Sequence, residues 1–529
     1  MQGDASARQD ISDSAGSASV DPFPDRWFSA EELADRVREF VPVHGWDKVH
    51  AVLERHWHRY VYSHPQELLQ AYQALPGEAF VKRPAILHGV HYLQRMVQET
   101  DPIRWTHCEQ AELASPVEED RLNTLINLTS RTAEHRVEGR LPEAVQVVDR
   151  VQAALASASA PDRDRVRMSL PHLRLVWGRV FLASEDPRAV SELERCYEEG
   201  RLSGQSQVSR RAAASLGWLH ASRGESRLAK AWLRRAENEP DAVDRYDATV
   251  NVTHALLLAD SGDREGADVH LGRVRSLGAG ESWARVLWVE SICVTGADDT
   301  AVLAGRIDEE LGRHPGALEH DGDDRSCLLR AMVGAASARG RLGSLELGTS
   351  KSGAVDQLLS AAVAHARGDN QLALRHLLQA SPTEMSRRRR VVTLVLSAGV
   401  QLALGRERAA GEHYRDARAL IEAEGLRSSY GALTAAEHRR LLELTGLEPP
   451  ASMPPFRRQP SGLDRLSRRE REILGALVTD DRLSEIAASH FISLNTLKTT
   501  LKGIYRKLDV QNRRQAAEVA VHAGLGPGG

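Results

Sequence analysis

The chain has 529 residues, 42% of them hydrophobic and 27% charged, with a formal net charge of −4. That is too long for one compact core and ordinary in composition for a globular protein, so several structural units are expected. No apolar stretch approaches the ~18 residues of a membrane helix, which argues against a membrane partner, and the four scattered cysteines (Cys108, Cys196, Cys293, Cys327) suggest buried free thiols rather than a disulfide framework or a zinc site.

Residues 1–25 are mostly Ser, Ala, Gly and Asp without an apolar run, so they read as a disordered tail and not as a leader; a cytoplasmic location follows, and the sequons at Asn127 and Asn251 then carry no meaning. Aromatic residues crowd the next stretch: Trp27, Phe28, Trp46, Trp57, Tyr60, Tyr62, Tyr72 and Tyr92. They could line a ligand pocket, but the core of an N-terminal cap is the favoured reading. His56, His58 and His64 do not suggest a metal site, because positions two apart on a helix point to different sides.

From residue 26 to 447 the pattern is helical almost throughout, with short Gly, Asp and Pro punctuation. A unit recurs in it: Gly, Ala five residues on, an apolar residue at nine and a small or β-branched one at twelve. The copies are Gly139/Ala144/Val148/Val151, Gly224/Ala229/Leu233/Ala236, Gly262/Ala267/Leu271/Val274, Gly368/Ala373/Leu377/Ala380 and Gly405/Ala410/Tyr414/Ala417. A glycine ending one helix in a left-handed turn, followed by an alanine where the next helix packs closely, describes a stacked helical hairpin. The copy with Leu216-Gly217, Gly224, Ala229, Ala236 and Pro240 resembles a tetratricopeptide repeat. That resemblance implies an α-solenoid with a concave groove able to take an unknown ligand or protein. Between Gly296 and Gly353 the register breaks, and a longer excursion is expected there. Arg387 to Arg390 reads as a solvated basic face.

Large regulators of the maltose-regulator type place a nucleotide-hydrolysing domain ahead of helical repeats. A phosphate loop needs glycine directly before lysine, and Gly348-Thr-Ser-Lys351-Ser352 fails that spacing and follows no apolar strand. No nucleotide, cofactor or catalysed reaction is therefore expected. Residues 448–463, with Pro449, Pro450, Pro454, Pro455 and Pro460, read as a stiff, extended linker.

The C-terminal segment, 464–529, is the most informative. Residues 456–529 hold 13 Lys plus Arg against 8 Asp plus Glu, while the rest of the chain is acidic. Ser467 with Glu470 forms a capping box, starting a helix that buries Ile473, Leu474 and Leu477. Asp480 and Asp481 are expected to cap a second helix carrying Ile486 and Ala487, and a turn at Phe491 to Ser493 opens a third. In the third, Leu494, Leu497, Leu501, Ile504 and Leu508 form a buried stripe, which turns Asn495, Lys498, Thr499, Lys502 and Arg506 outward. Two helices joined by a tight turn, the second with a donor-rich face, can present side chains to base edges in a major groove. Asn512 can cap a fourth helix whose small apolar residues Ala516, Ala517, Val519, Ala520 and Ala523 suit packing on the bundle or on a second copy.

Arg469-Glu-Arg-Glu472, Glu485-Ile-Ala487, Ser493, Thr496, Lys498, Lys507-Leu508, Val510 and Arg513 together resemble the LuxR/FixJ-type output domain, a four-helix helix-turn-helix, from Leu466 to about Leu525. The resemblance implies that Lys498, Thr499 and Lys502 read bases and that Thr496 and Arg513 hold the sugar-phosphate backbone. Asp480, His490, Leu497 and Thr500 depart from the family's usual residues, which bears on sequence preference. The whole then reads as an all-α regulator: a tetratricopeptide-like solenoid that senses or docks a partner, then a helix-turn-helix binding double-stranded DNA as a homodimer. The alternative is an interaction scaffold that its C-terminal domain localises to DNA.

Overall fold

In a computed structural model the described residues are 29–61, 64–83, 86–97, 128–129, 131–133, 135–136, 138–167, 169–239, 248–346, 354–380, 385–450, 452, 455–458, 466–479, 482–508, 510–522 and 525. The expected tail, Trp27, Phe28, Tyr62, Cys108, Asn127, Pro240, the lysine of the failed phosphate loop, Pro454, Pro460, Asp480, Asp481 and Ala523 lie outside them. Among the described residues every regular element is a helix, and none is long and apolar enough to cross a membrane. The chain divides into two compact units, 1–97 and 98–529.

The first unit contains α1 (Leu33–His44), α2 (Trp46–Tyr60), α3 (Pro65–Gln73), α4 (Gly77–Lys82) and α5 (Ile86–Val97). Tyr60 and Tyr72 are buried beside Val37, Leu53, Leu68 and Leu93, and the Trp57 ring meets Tyr72 edge-on with centroids 5.5 Å apart. These aromatic groups are thus core, as T-shaped packing favours.

The second unit begins with α6 (Leu141–Ala156), α7 (Ala160–Val166), α8 (Leu170–Ala183), α9 (Ala189–Leu202), α10 (Ser206–Arg223), α11 (Ser226–Glu237), α12 (Thr249–Ser261) and α13 (Arg264–Leu277). It continues through α14 (Trp283–Cys293), α15 (Ala297–Arg313), α16 (Asp323–Ala338), α17 (Ala354–Arg367), α18 (Asn370–Gln379), α19 (Arg387–Ala403), α20 (Glu407–Glu424) and α21 (Ala435–Thr445). Most helices pack chiefly on their neighbours in sequence, α8 on α9, α10 on α11, α19 on α20, whereas α14 packs chiefly on α16. All five repeat glycines, Gly139, Gly224, Gly262, Gly368 and Gly405, have positive φ. The alanine, apolar and small positions that follow each of them are buried. The turn chemistry and the close packing inferred from the spacing are therefore both present. The stretch where the register breaks holds α15 and α16, joined by the turn-rich residues 314–322.

The solenoid curls more tightly than an open groove requires. Helix α10 is buried on every side from Gln207 to Ala221, and α14 from Trp283 to Glu290, so both are surrounded rather than stacked in a single layer. Later helices reach back onto earlier ones: α19 meets α10, and the single-turn helix at Arg427–Ala432 meets α12. The contacts across the curl are polar. Arg388 pairs with Asp260 across 128 residues at 2.9 Å and donates to the carbonyls of Ala221 and Ser222, while Trp218 Nε1 and Arg285 both donate to Asp323. Ser226 Oγ donates to the Glu424 carbonyl at 2.6 Å.

Two expectations are corrected by this arrangement. The basic run at Arg387 to Arg390 is only in part a solvated face: Arg387 and Arg390 are exposed, but Arg388 is buried on Asp260, Arg387 pairs with Glu424, and Arg389 pairs with Glu185. The inner surface is likewise not one open trough, because its own charged and aromatic side chains meet across much of it. Glu281 and Asp324 keep solvent-exposed surface although the surrounding helices crowd each of them. Burial, then the neighbouring Asp323, raises Asp324 to about 6, whereas Arg136 and Arg179 overcome burial and hold Glu281 well below the usual carboxylate range.

The linker does not run free where it is described. Phe456 packs on the α19–α21 core, the Arg457 amide donates to the Leu433 carbonyl at 2.9 Å, and the buried Arg457 guanidinium reaches Glu437. An apolar ring and a cation with a waiting carboxylate are enough to lay this part of the linker on the solenoid.

Gly224 shows how close the curl brings its helices. A Cβ there would lie 2.9 Å from the Arg388 amide nitrogen, whereas one at Gly405 meets nothing within 4 Å, although both residues have positive φ. Gly405→Ala should therefore cost only the left-handed strain, about 1–2 kcal/mol, and Gly224→Ala at least twice as much in urea unfolding of the full chain. Equal costs would mean that α10 and α19 do not approach this closely in solution.

Candidate nucleic-acid interface

Four further helices close the chain: α22 (Arg468–Ala476), α23 (Leu483–Ser489), α24 (Leu494–Leu508) and α25 (Arg513–His522). The capping box that starts α22 is formed, with the Glu470 amide donating to Ser467 Oγ at 3.2 Å and the Ser467 amide donating to Glu470 at 2.7 Å. Leu466, Ile473, Leu474, Leu477, Ile486, Ala487, Leu497, Leu501, Ile504, Ala516 and Ala520 form one buried cluster that fixes the four helices against each other.

The start of α23 differs from expectation. The Asp480 and Asp481 caps fall outside the described residues, and the residue before the helix is Arg482, whose amide donates to Glu485 at 2.7 Å. The turn between α23 and α24 is held from both sides: the Ile492 amide donates to the Ala487 carbonyl and Arg469 donates to the His490 carbonyl. Phe491, at its apex, adopts φ 56° and is almost fully exposed.

Ser493 then caps α24, its Oγ accepting from the Thr496 amide at 3.1 Å and lying 2.8 Å from the Thr496 hydroxyl. Helix α24 buries only Leu497, Leu501 and Ile504. The expected stripe is narrower by two residues, since Leu494 is 40% exposed and Leu508 is half-buried. Leu494 stands in the first turn, whereas α22 and α23 pack on the helix.

Asn495, Thr496, Lys498, Thr499, Lys502 and Arg506 all lie exposed on α24. Positions 495, 498, 499, 502 and 506 follow helical spacing and form one outward stripe. The Thr499 hydroxyl bonds back to the Asn495 carbonyl at 3.0 Å, but no ion pair or hydrogen bond holds the Lys498 or Lys502 ammonium among the described residues. Lys507 is different. It turns inward to Glu470 at 2.6 Å, and this ion pair with the Ser467 amide outweighs burial and lowers the Glu470 pKa. Arg513 is half-buried and donates to the Thr479 carbonyl at 2.7 Å, tying α25 to the end of α22, so it is already engaged. Asn512 caps α25 by accepting from the Gln515 amide at 3.0 Å. Ala516 and Ala520 are spent on the domain's own core, leaving Arg514, Glu518 and Val521 as the exposed face of α25.

The turn-clamping role of Arg469 and the inward role of Lys507 were not separable in sequence from other basic residues. The spacing of Lys507 to Glu470, 37 residues apart, carries no local signal.

Residues 464–520 match the family described as bacterial regulatory proteins, luxR family. The C-terminal unit is a LuxR-family helix-turn-helix domain. Curated relatives match over the same module: a protein described as probable transcriptional regulatory protein SgaR from Hyphomicrobium methylovorum is 46% identical over 63 residues, 12% of this chain and 29% of that protein. The CsgBAC operon transcriptional regulatory protein of Escherichia coli and its Salmonella typhimurium counterpart are each 47% identical over 55 residues, 10% of this chain and 26% of theirs. The chain thus spans under a third of the length of these relatives, and the likeness concerns the LuxR-family module alone.

Proposed function

We propose that the protein is a sequence-specific DNA-binding transcriptional regulator, in which a tetratricopeptide-like repeat body (26–447) senses or docks a small ligand or protein and passes that state through residues 448–463 to the helix-turn-helix at 464–529. The observation that carries this reading is the stripe of exposed donors on α24, with the Lys498 and Lys502 ammonium groups unpaired among the described residues, opposite the leucine core that fixes the helix. A helix of this kind inserts into the major groove, where Lys498, Thr499 and Lys502 face base edges and Asn495, Thr496 and Arg506 flank them. Arg513 acts on the backbone side, positioning the start of α25. A single module makes few base contacts, so binding as a homodimer to half-sites about one helical turn apart completes the reading.

The test uses the full chain and operator fragments enriched by the wild type, read by fluorescence anisotropy. Lys498→Ala and Lys502→Ala should each weaken specific binding by ~1–3 kcal/mol, while Arg513→Ala weakens specific and non-specific DNA alike. Wild-type affinity in both lysine variants, with helicity intact, would sink the assignment.

A further inference from the structure

The hairpin joining α8 to α9 breaks the rule that the other hairpins follow. Where they place glycine in the left-handed turn, this one places Glu185, at φ 54°. Its amide donates to Leu182 and the next amide to Phe181, the same pair of bonds that closes the turn at Gly224. A non-glycine residue there is strained, and such strain persists where the side chain has work to do. The Glu185 carboxylate reaches across the curl, one oxygen accepting from Ser326 at 2.7 Å and the other from Arg389 at 2.6 Å.

Both oxygens being taken leaves a neighbouring cation without a partner. Arg330, one helical turn beyond Ser326 on α16, is half-buried over Trp288 with its guanidinium carbon 4.5 Å from the ring centre. No hydrogen bond or ion pair holds it among the described residues. Arg388 lies 5.2 Å from the same ring but is fully engaged by Asp260 and two carbonyls. Three guanidinium groups thus stand against two carboxylates, with one planar donor fork unused. Burial lowers the pKa of Arg330, Arg388 and Arg389 lower it further, and only Cys327 and Glu185 act against them.

We infer that Arg330, seated over the Trp288 ring, is the head-group site for a small oxyanion ligand of the carboxylate or phosphate class inside the repeat body. The ring covers one side of the guanidinium, its unpaired N–H groups can donate two parallel hydrogen bonds to such a group, and one negative charge balances the local excess. This deepens the sensing role proposed above and rests on it. An anion bound there would bridge α16 to α19 and to the α8–α9 turn, so occupancy would tighten the curl.

The test is thermal unfolding of the full chain, without DNA, in two arms: inorganic phosphate and succinate, each against sodium chloride of equal ionic strength. A rise of about 1–3 °C in one arm is expected in wild type, from preferential binding to the folded state, and it should be retained in Arg408→Gln, a change at an outer arginine that is 93% exposed. It should vanish in Arg330→Gln and be reduced in Arg330→Lys, which keeps the charge but loses the fork. If Arg330→Gln does not fold, the Lys variant decides alone. The arm that responds assigns the ligand class; equal shifts in wild type and the Arg330 variants, or no shift in either arm, overturn the proposal. Because the readout involves no DNA, its failure leaves the assignment of α24 untouched.

Discussion

Arg388→Ala is expected to lower the stability of the repeat body by about 3–5 kcal/mol, among the largest effects of any single change in it. The reason is the environment of its partner. Asp260 is 1% exposed, and without Arg388 it keeps a bond from Ser428 but loses the cation that balances its charge. Arg388 also donates to the carbonyls of Ala221 and Ser222 at the C-terminal end of α10; the Ala221 carbonyl keeps the Gly224 amide, but the Ser222 carbonyl loses this donor in the variant. The effect should be read as a lower urea midpoint by circular dichroism, with earlier proteolysis of the repeat body. The double variant Arg388→Met with Asp260→Leu should recover much of the loss, since two apolar groups of similar volume need no charge balance. An Arg388→Ala midpoint within ~1 kcal/mol of wild type would show that the curl is held elsewhere.

That pair also marks the limit of what could be read in the sequence. The hairpins were legible because each imposes a local demand, a left-handed glycine and a close-packing alanine five residues later, and the demand recurs at Gly224, Gly262 and Gly405 in nearly the same words. The capping box at Ser467 and Glu470 was legible for the same reason. The curl is a different matter. Arg388 and Asp260 are 128 residues apart, and a run of four arginines at a helix start looks the same whether it faces water or a buried carboxylate. A weaker signal did exist in α14, which is apolar nearly all round and so requires neighbours on all sides. In the LuxR-family domain the outward positions of α24 followed from periodicity, whereas Lys507, equally basic, turned inward because Glu470 lay across the bundle.

The second large expectation concerns acid. His438, on α21, is 3% exposed among Tyr414, Tyr430 and Phe456, with its Nε2 2.8 Å from the Tyr414 hydroxyl. Burial first, and Arg418 second, lower its pKa to about 4. In the unfolded chain the ring takes a proton near 6.5, so between these values the unfolded state binds more protons than the folded one and stability must fall as pH falls. The contribution is intact above pH 6.5 and is lost progressively toward pH 4, on the order of 3 kcal/mol in all. Glu437 next to it behaves oppositely in charge but not in direction. Burial opposes it, yet His365 and Arg457 hold its pKa at about 2, so its contribution is present above the ordinary carboxylate value near 4.5 and is lost below that. Two acid windows therefore converge on the place where Phe456 and Arg457 lay the linker against α21. Urea midpoints of the full chain between pH 7.5 and 4.5 should fall, and His438→Gln should fall less steeply over that range, because its side chain has no proton to take up. His50, whose pKa burial and Arg83 lower to about 4, adds a slope of its own in the first unit, which the comparison of wild type with variant cancels. Parallel slopes in the two proteins would mean that the ring at 438 takes up its proton at the same pH in the folded and unfolded states, and that the linker is not released by its protonation.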